Sequence, residues 1–362
     1  VLGDFSGSSF NHYGVETTFY RQDGRYMVRT DGPDGKLHDY PVAYLFGFEP
    51  HEQYLIEFPD GRFQALNVCW DNSSAEDGGQ RWFHLYPDHP TPYTDPFHWT
   101  GTLQNWNFMC AECHSTGLDK GYDLSTDTYN TTYAEIDVSC EACHGPGSHH
   151  VAIATAAKKG QRPAEDAKLG LMVSLKDPNE GVWEMDQETG NAKRSVPIGS
   201  RMEVETCGRC HVRRSVVHDD YVYGRPLMDT HRPSLLTDPL YYADGQIQDE
   251  VYVYASILQS KMFAQGVTCS DCHDGHSLEL KAPQDAVCSQ CHLPSKYATP
   301  KHHFHKQDGP GADCLDCHMP ATRYMVVDPR RDHSWRPPRP DLTISLGSPN
   351  TCNWEGCHPD KS

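Results

Sequence analysis

The chain has 362 residues, a formal net charge of −19 with histidine neutral, and 37% hydrophobic residues. That length allows two or three domains but supplies a modest stock of apolar side chains for their cores. The acidity argues against nucleic acid as a partner and suits a basic or locally neutral protein instead. No run of about eighteen apolar residues occurs that could span a membrane. The sequence opens at Val1 without a basic segment followed by an apolar one, so an export signal is expected to have been removed or to lie upstream.

Residues 1–100 read as a small antiparallel β domain. Thr17–Arg21 and Tyr26–Thr30 flank Asp23-Gly24, and Gln53–Phe58 and Phe63–Val68 flank Asp60-Gly61. Aspartate-glycine between alternating apolar runs is a strong hairpin signal. Cys69, beside Trp70 at a strand end, is expected to be a half-buried free thiol.

From residue 101 to 362 the pattern changes to short helical turns, loops rich in glycine and proline, and a recurring motif. Six Cys-x-x-Cys-His sequences occur: Cys110, Cys113, His114; Cys140, Cys143, His144; Cys207, Cys210, His211; Cys269, Cys272, His273; Cys288, Cys291, His292; and Cys314, Cys317, His318. A seventh, Cys352, Cys357, His358, has four spacer residues, Asn353 to Gly356, which can close the same ring if they bulge outward. Two thioethers must reach two vinyl groups on one porphyrin edge while the next side chain turns beneath the ring, so each motif is a c-type haem attachment signature with a proximal imidazole on iron. Zinc ribbons and disulfide frameworks use paired cysteines too, but neither gives a reason for the histidine that follows every pair. The expectation is seven c-type haems in a heptahaem domain of short helices and loops around stacked haems. Residues 151–206 form an insertion between motifs two and three, with a helix over 151–159 and a hairpin of 183–186 with 192–195. A longer helix is expected over 250–265, where Val251, Tyr254, Leu258 and Met262 share a face. The tail after Asp328, rich in proline and arginine, is expected to wrap the surface.

Of 22 histidines, those outside the motifs more than suffice to cap seven irons from the opposite side. The distal ligand candidates beside motifs are His98, His150 with its neighbour His149, His276 and His333. His231 is a further one, as is one of His302, His303 and His305, while His12 and His84 could reach across from the β domain. Met109 and Met319 adjoin motifs too closely to cap their own irons, so bis-histidine coordination and low potentials are expected.

Several stretches carry a family resemblance: 78–87 (GGQRWFHLYP), His98-Trp99-Thr100-Gly101, Gln104–Asn107, 138–148, Gln259–Met262 with 266–273, and 324–333. Over nearly the whole length the chain resembles bacterial multihaem c-type cytochromes that carry tetratricopeptide repeats. Those relatives often have one more haem motif upstream and helical repeats downstream, neither of which lies within these residues. Their last motif usually has two spacer residues, from which Asn353–Gly356 departs. A weaker similarity links the Gly-Val-Thr-Cys-Ser-Asp-Cys-His segment to the hydroxylamine oxidoreductase and pentahaem nitrite reductase group, although no lysine replaces a proximal histidine here.

The expected function is electron transport along seven covalently bound haems, in the periplasm or outside the cell, where c-type haem is attached. Redox proteins are the expected partners, with self-association into an oligomer or filament as an extension. The alternative is a multihaem oxidoreductase acting on a small nitrogen or sulfur oxyanion at one five-coordinate haem, for which Lys261, Tyr254, His302 and Arg323 are the nearest available groups.

Overall fold

The computed structural model describes residues 1–161, 168–353 and 357–358. The chain divides into two compact units, one of residues 1–142 with 323–328 and one of residues 143–322 with 329–362.

The first unit is built on an antiparallel sheet of β1 (Ser8–His12), β2 (Val15–Gln22), β3 (Arg25–Asp31), β4 (Leu37–Phe46), β5 (His51–Glu57), β6 (Phe63–Ala65), β7 (Val68–Asp71) and β8 (Arg81–His84). The spatial order is β1-β2-β3-β4-β5-β7-β8, with β6 pairing β5. Both aspartate-glycine turns join paired strands as expected, and Asp23 and Gly24 both take the positive φ that a tight hairpin turn demands, 51° and 78°. The sheet curls until its ends approach, where Trp82 Nε1 on β8 donates to Ser8 Oγ on β1 at 2.9 Å. Inside it Phe5, Phe19, Val28, Tyr54, Ile56, Trp70, Trp82 and Trp99 form one apolar core, with Phe19 lying flat on Trp82 at 3.5 Å between ring centroids. Cys69 is fully buried rather than half-buried, because β7 is covered on both faces.

The β unit also extends beyond residue 100, where the sequence reading ended it. Asn107 is fully buried; its Oδ1 accepts from Phe63 N at 2.7 Å and its Nδ2 donates to Gly61 O. Trp106 and Ala111 pack with Leu55 and Ala65, and Cys110 borders the same cluster. The first motif is therefore seated on the β5–β6 hairpin.

The second unit has little regular structure. The expected helix is present as Ser148–Lys158, and the expected hairpin as Trp183–Asp186 paired with Asn191–Arg194. The single helix expected over 250–265 is instead two, Tyr254–Leu258 and Lys261–Ala264. Ser260 ends the first and caps the second: its hydroxyl donates to Ile257 O and accepts from Phe263 N. A serine that satisfies backbone groups on both sides favours a break over continuation, which the apolar periodicity could not reveal.

Candidate functional site

Six of the motifs share one local conformation. Cys140–His144 and Cys314–His318 are single helical turns. In four others the histidine N–H donates to the carbonyl of the first cysteine, at 3.1 Å for His114 and 2.9 Å for His211, His273 and His292. Positions i, i+3 and i+4 of a helical turn lie on one face, so both sulfurs and the imidazole of a motif turn to the same side, as one covalently held porphyrin requires. In the seventh motif Cys352, Cys357 and His358 are described, while the bulge expected from its spacer falls on 354–356, outside the described residues.

Four motif histidines face a histidine from elsewhere in the second unit. The pairs are His144 with His276 (6.3 Å between centroids, 18° between planes), His273 with His333 (6.3 Å, 24°), His318 with His302 (6.1 Å, 17°), and His358 with His305 (5.8 Å, 21°). These separations are too long for rings in face-to-face contact. Metal–imidazole bonds of about 2 Å on either side, plus about 1.1 Å from each nitrogen to its ring centre, give roughly 6 Å, the spacing of two imidazoles on one metal.

Hydrogen bonds at Nδ1 sort the histidines further. Nδ1 lies 2.9 Å from Val173 O in His144, 3.0 Å from Arg336 O in His318, 2.9 Å from Arg331 O in His333 and 2.6 Å from His303 O in His305. His150 makes the same contact with Leu169 O at 2.7 Å, and His292 with Asn191 Oδ1 at 2.8 Å. A carbonyl oxygen can only accept, so Nδ1 carries the proton and the Nε2 lone pair is left available to bind a metal. Each of the four pairs contains one such histidine. Burial lowers the pKa of His273 and His333, and of the motif residues His114, His211 and His292, keeping the imidazoles in the neutral form that binds metal.

Other histidines are differently placed. His98 has both nitrogens engaged within the β unit: Nδ1 meets Thr100 Oγ1 at 2.8 Å and Nε2 meets Asp31 Oδ2 at 3.2 Å. His12 and His84 lie flat on one another at 3.6 Å, which leaves no room for a metal between them, and His84 Nδ1 accepts from Tyr86 N. His303 Nδ1 accepts from His305 N at 3.1 Å. Of the three histidines weighed in that segment, His302 and His305 face motif histidines and His303 does not. His231 is buried, with Nδ1 on Thr230 Oγ1 at 2.8 Å and its ring against Tyr221.

Two elements read as peripheral shape the site. The hairpin Trp183–Asp186 with Asn191–Arg194 clamps motif five, since Ala192 N donates to Cys291 O at 2.7 Å and Asn191 holds His292. The tail after Asp328 does more than wrap the surface, because it delivers His333 and the Arg336 carbonyl that orients His318. Trp335 Nε1 also donates to Met319 Sδ at 3.2 Å. Tyr254 is buried and reaches Glu205 Oε1, and His302 faces His318, so neither frames an open iron position.

From the third motif to the seventh, successive motifs are also neighbours in space. The Cys207 sulfur reaches that of Cys269, and the Cys288 and Cys314 sulfurs lie within 4.8 Å of one another. Burial first, then Asp271 and the nearby sulfurs of Cys288 and Cys291, push the Cys272 thiol up to about 11. Cys317 rises for the same first reason, with Cys352 and Cys357 beside it.

A family model of cytochrome c554 and c-prime matches residues 100–145, the stretch holding the first two motifs. No curated protein and no solved structure matches the chain significantly. The cysteine-histidine donor set fits c-type haem iron, and with the family match it supports a multihaem c-type cytochrome working in electron transfer. Among the described residues no helix is long and apolar enough to cross a membrane.

Proposed function

We propose that the chain is an electron carrier holding seven c-type haems, the thioethers on the paired cysteines and the proximal imidazoles on His114, His144, His211, His273, His292, His318 and His358. The observation that carries the reading is the set of four histidine pairs at the spacing of two imidazoles on one metal. In it His276, His333, His302 and His305 are the distal ligands of haems two, four, six and seven. Haem iron supplies the one-electron couple; the protein fixes ring spacing, ligand tautomer and solvent access, which together set each potential. A protein loaded in this way works outside the cytoplasm and exchanges electrons with redox partners, and contacts between copies would extend the conduit into a filament.

Two measurements test the proposal. Intact mass should show seven covalent haems, and electron paramagnetic resonance of the oxidised protein should show low-spin iron at the four paired sites. A high-spin signal from those sites that shifts on adding nitrite or cyanide would refute the carrier reading in favour of the oxyanion enzyme.

A further inference from the structure

We propose that Glu203 and Asp285 are haem-positioning residues: each precedes one motif, anchors the first turn of the next, and so sets haems three and four, and haems five and six, as two close couples. This rests on reading the motifs as haem sites.

Glu203 lies on the helix Met202–Gly208, which runs into the third motif, and it is 6% exposed. Its carboxylate is spent entirely on the fourth motif. Oε1 accepts from Ser270 N, and Oε2 accepts from Ser270 Oγ at 2.8 Å and from Thr268 Oγ1 at 3.0 Å. Those groups surround the start of the helix Cys269–Cys272, whose own capping box, Thr268 with Asp271, is built on the same threonine. Helix N–H groups at a first turn have no partner within the helix, and a carboxylate meets them with the stronger, charge-assisted kind of bond.

Asp285 repeats the arrangement one couple further on. It stands at the N-terminal end of the helix Ala286–Ser289 but does not cap that helix with its side chain. Oδ2 reaches instead to Cys314 N at 2.6 Å, the first residue of the helix Cys314–His318, while Oδ1 is buried with no hydrogen-bond partner among the described residues.

In both couples the first cysteine of one motif touches the first cysteine of the next, Cys207 with Cys269 and Cys288 with Cys314. As covalent anchors, those sulfurs would bring the porphyrin edges they hold side by side. A carboxylate that ties the two turns together therefore governs how closely the two rings approach.

The test is visible circular dichroism in the Soret band, where neighbouring haems give a two-signed signal that depends on their mutual geometry, read together with intact mass. Glu203→Ala and Asp285→Ala should each remove part of that signal while keeping seven haems. Glu203→Gln, whose amide oxygen still accepts from Ser270 N, should restore most of it. Glu205→Gln, on the same helix but bonded to Leu227 N, should leave the signal unchanged. Haem loss confined to the affected couple would support the proposal as well. An unchanged signal in Glu203→Ala with seven haems, or haem loss spread over all sites, would overturn it. A wild-type protein lacking covalent haem at these motifs would instead overturn the reading beneath it.

Discussion

His273 and His333 face one another with centroids 6.3 Å apart and planes within 24°, and the second is held by its own backbone neighbour, Nδ1 to Arg331 O at 2.9 Å. If this pair grips the iron of haem four, changing the distal donor changes that iron alone. In His333→Met a thioether replaces the imidazole, the iron stays low-spin and its potential rises, by on the order of 0.1 V within the ~0.8 V range that axial ligands command. A redox titration followed in the visible should show one component moving and the others fixed.

His98→Ala separates a structural histidine from a ligand. The imidazole is 2% exposed and bridges Asp31 and Thr100 inside the β unit. Its removal leaves the Asp31 carboxylate short of a buried partner, at a cost of about 1–3 kcal/mol. Denaturant unfolding should report that loss, and the paramagnetic resonance spectrum of the haems should not change. A new high-spin species in this variant would restore His98 to the ligand set.

What the sequence made legible follows from how local each signal is. A motif whose cysteines and histidine fit one helical turn carries its chemistry within five residues, and a hairpin needs only its turn and flanking strands. Distal ligation depends on long-range folding. His302 and His303 are adjacent on one short helix, and about 100° of rotation per residue decides which faces His318. The Nδ1 of His303 instead accepts the His305 amide. His98 looked like a ligand because it precedes a motif, yet its partner Asp31 lies 67 residues away. The roles of Glu203 and Asp285 were equally hidden: an acidic residue three or four places before a motif is visible in sequence, but its target in the next motif is not.

Cys69 offers a count of the thioethers. It stands outside all seven motifs and is fully buried, and burial pushes its thiol pKa far up, so the reactive thiolate is suppressed. In the native protein an alkylating reagent should modify no cysteine. After unfolding in denaturant it should add one group, at Cys69, if the other fourteen of the 15 cysteines are held as thioethers as proposed. Mass spectrometry of the alkylated chain would read this directly, and each further alkylation would mark one unattached haem position.

His84 gives the β unit a defined acid sensitivity. It is 5% exposed and stacked on His12, and its pKa is pushed down to about 3, first by burial and next by the neighbouring His12. His12 is lowered as well, again by burial. The folded protein thus keeps His84 neutral where the unfolded chain, titrating near 6.5, has already taken up a proton. Its contribution to stability is complete above about pH 6.5 and falls by about 1.4 kcal/mol per pH unit below that, until the folded-state pKa is reached. Urea unfolding followed by far-ultraviolet circular dichroism between pH 7 and 4 should show this slope. In His84→Asn, whose side-chain oxygen can still accept from Tyr86 N, the wild-type protein's extra loss over that range should disappear. Equal slopes in the two proteins would mean that His84 gains its proton in the folded state as readily as in the unfolded one.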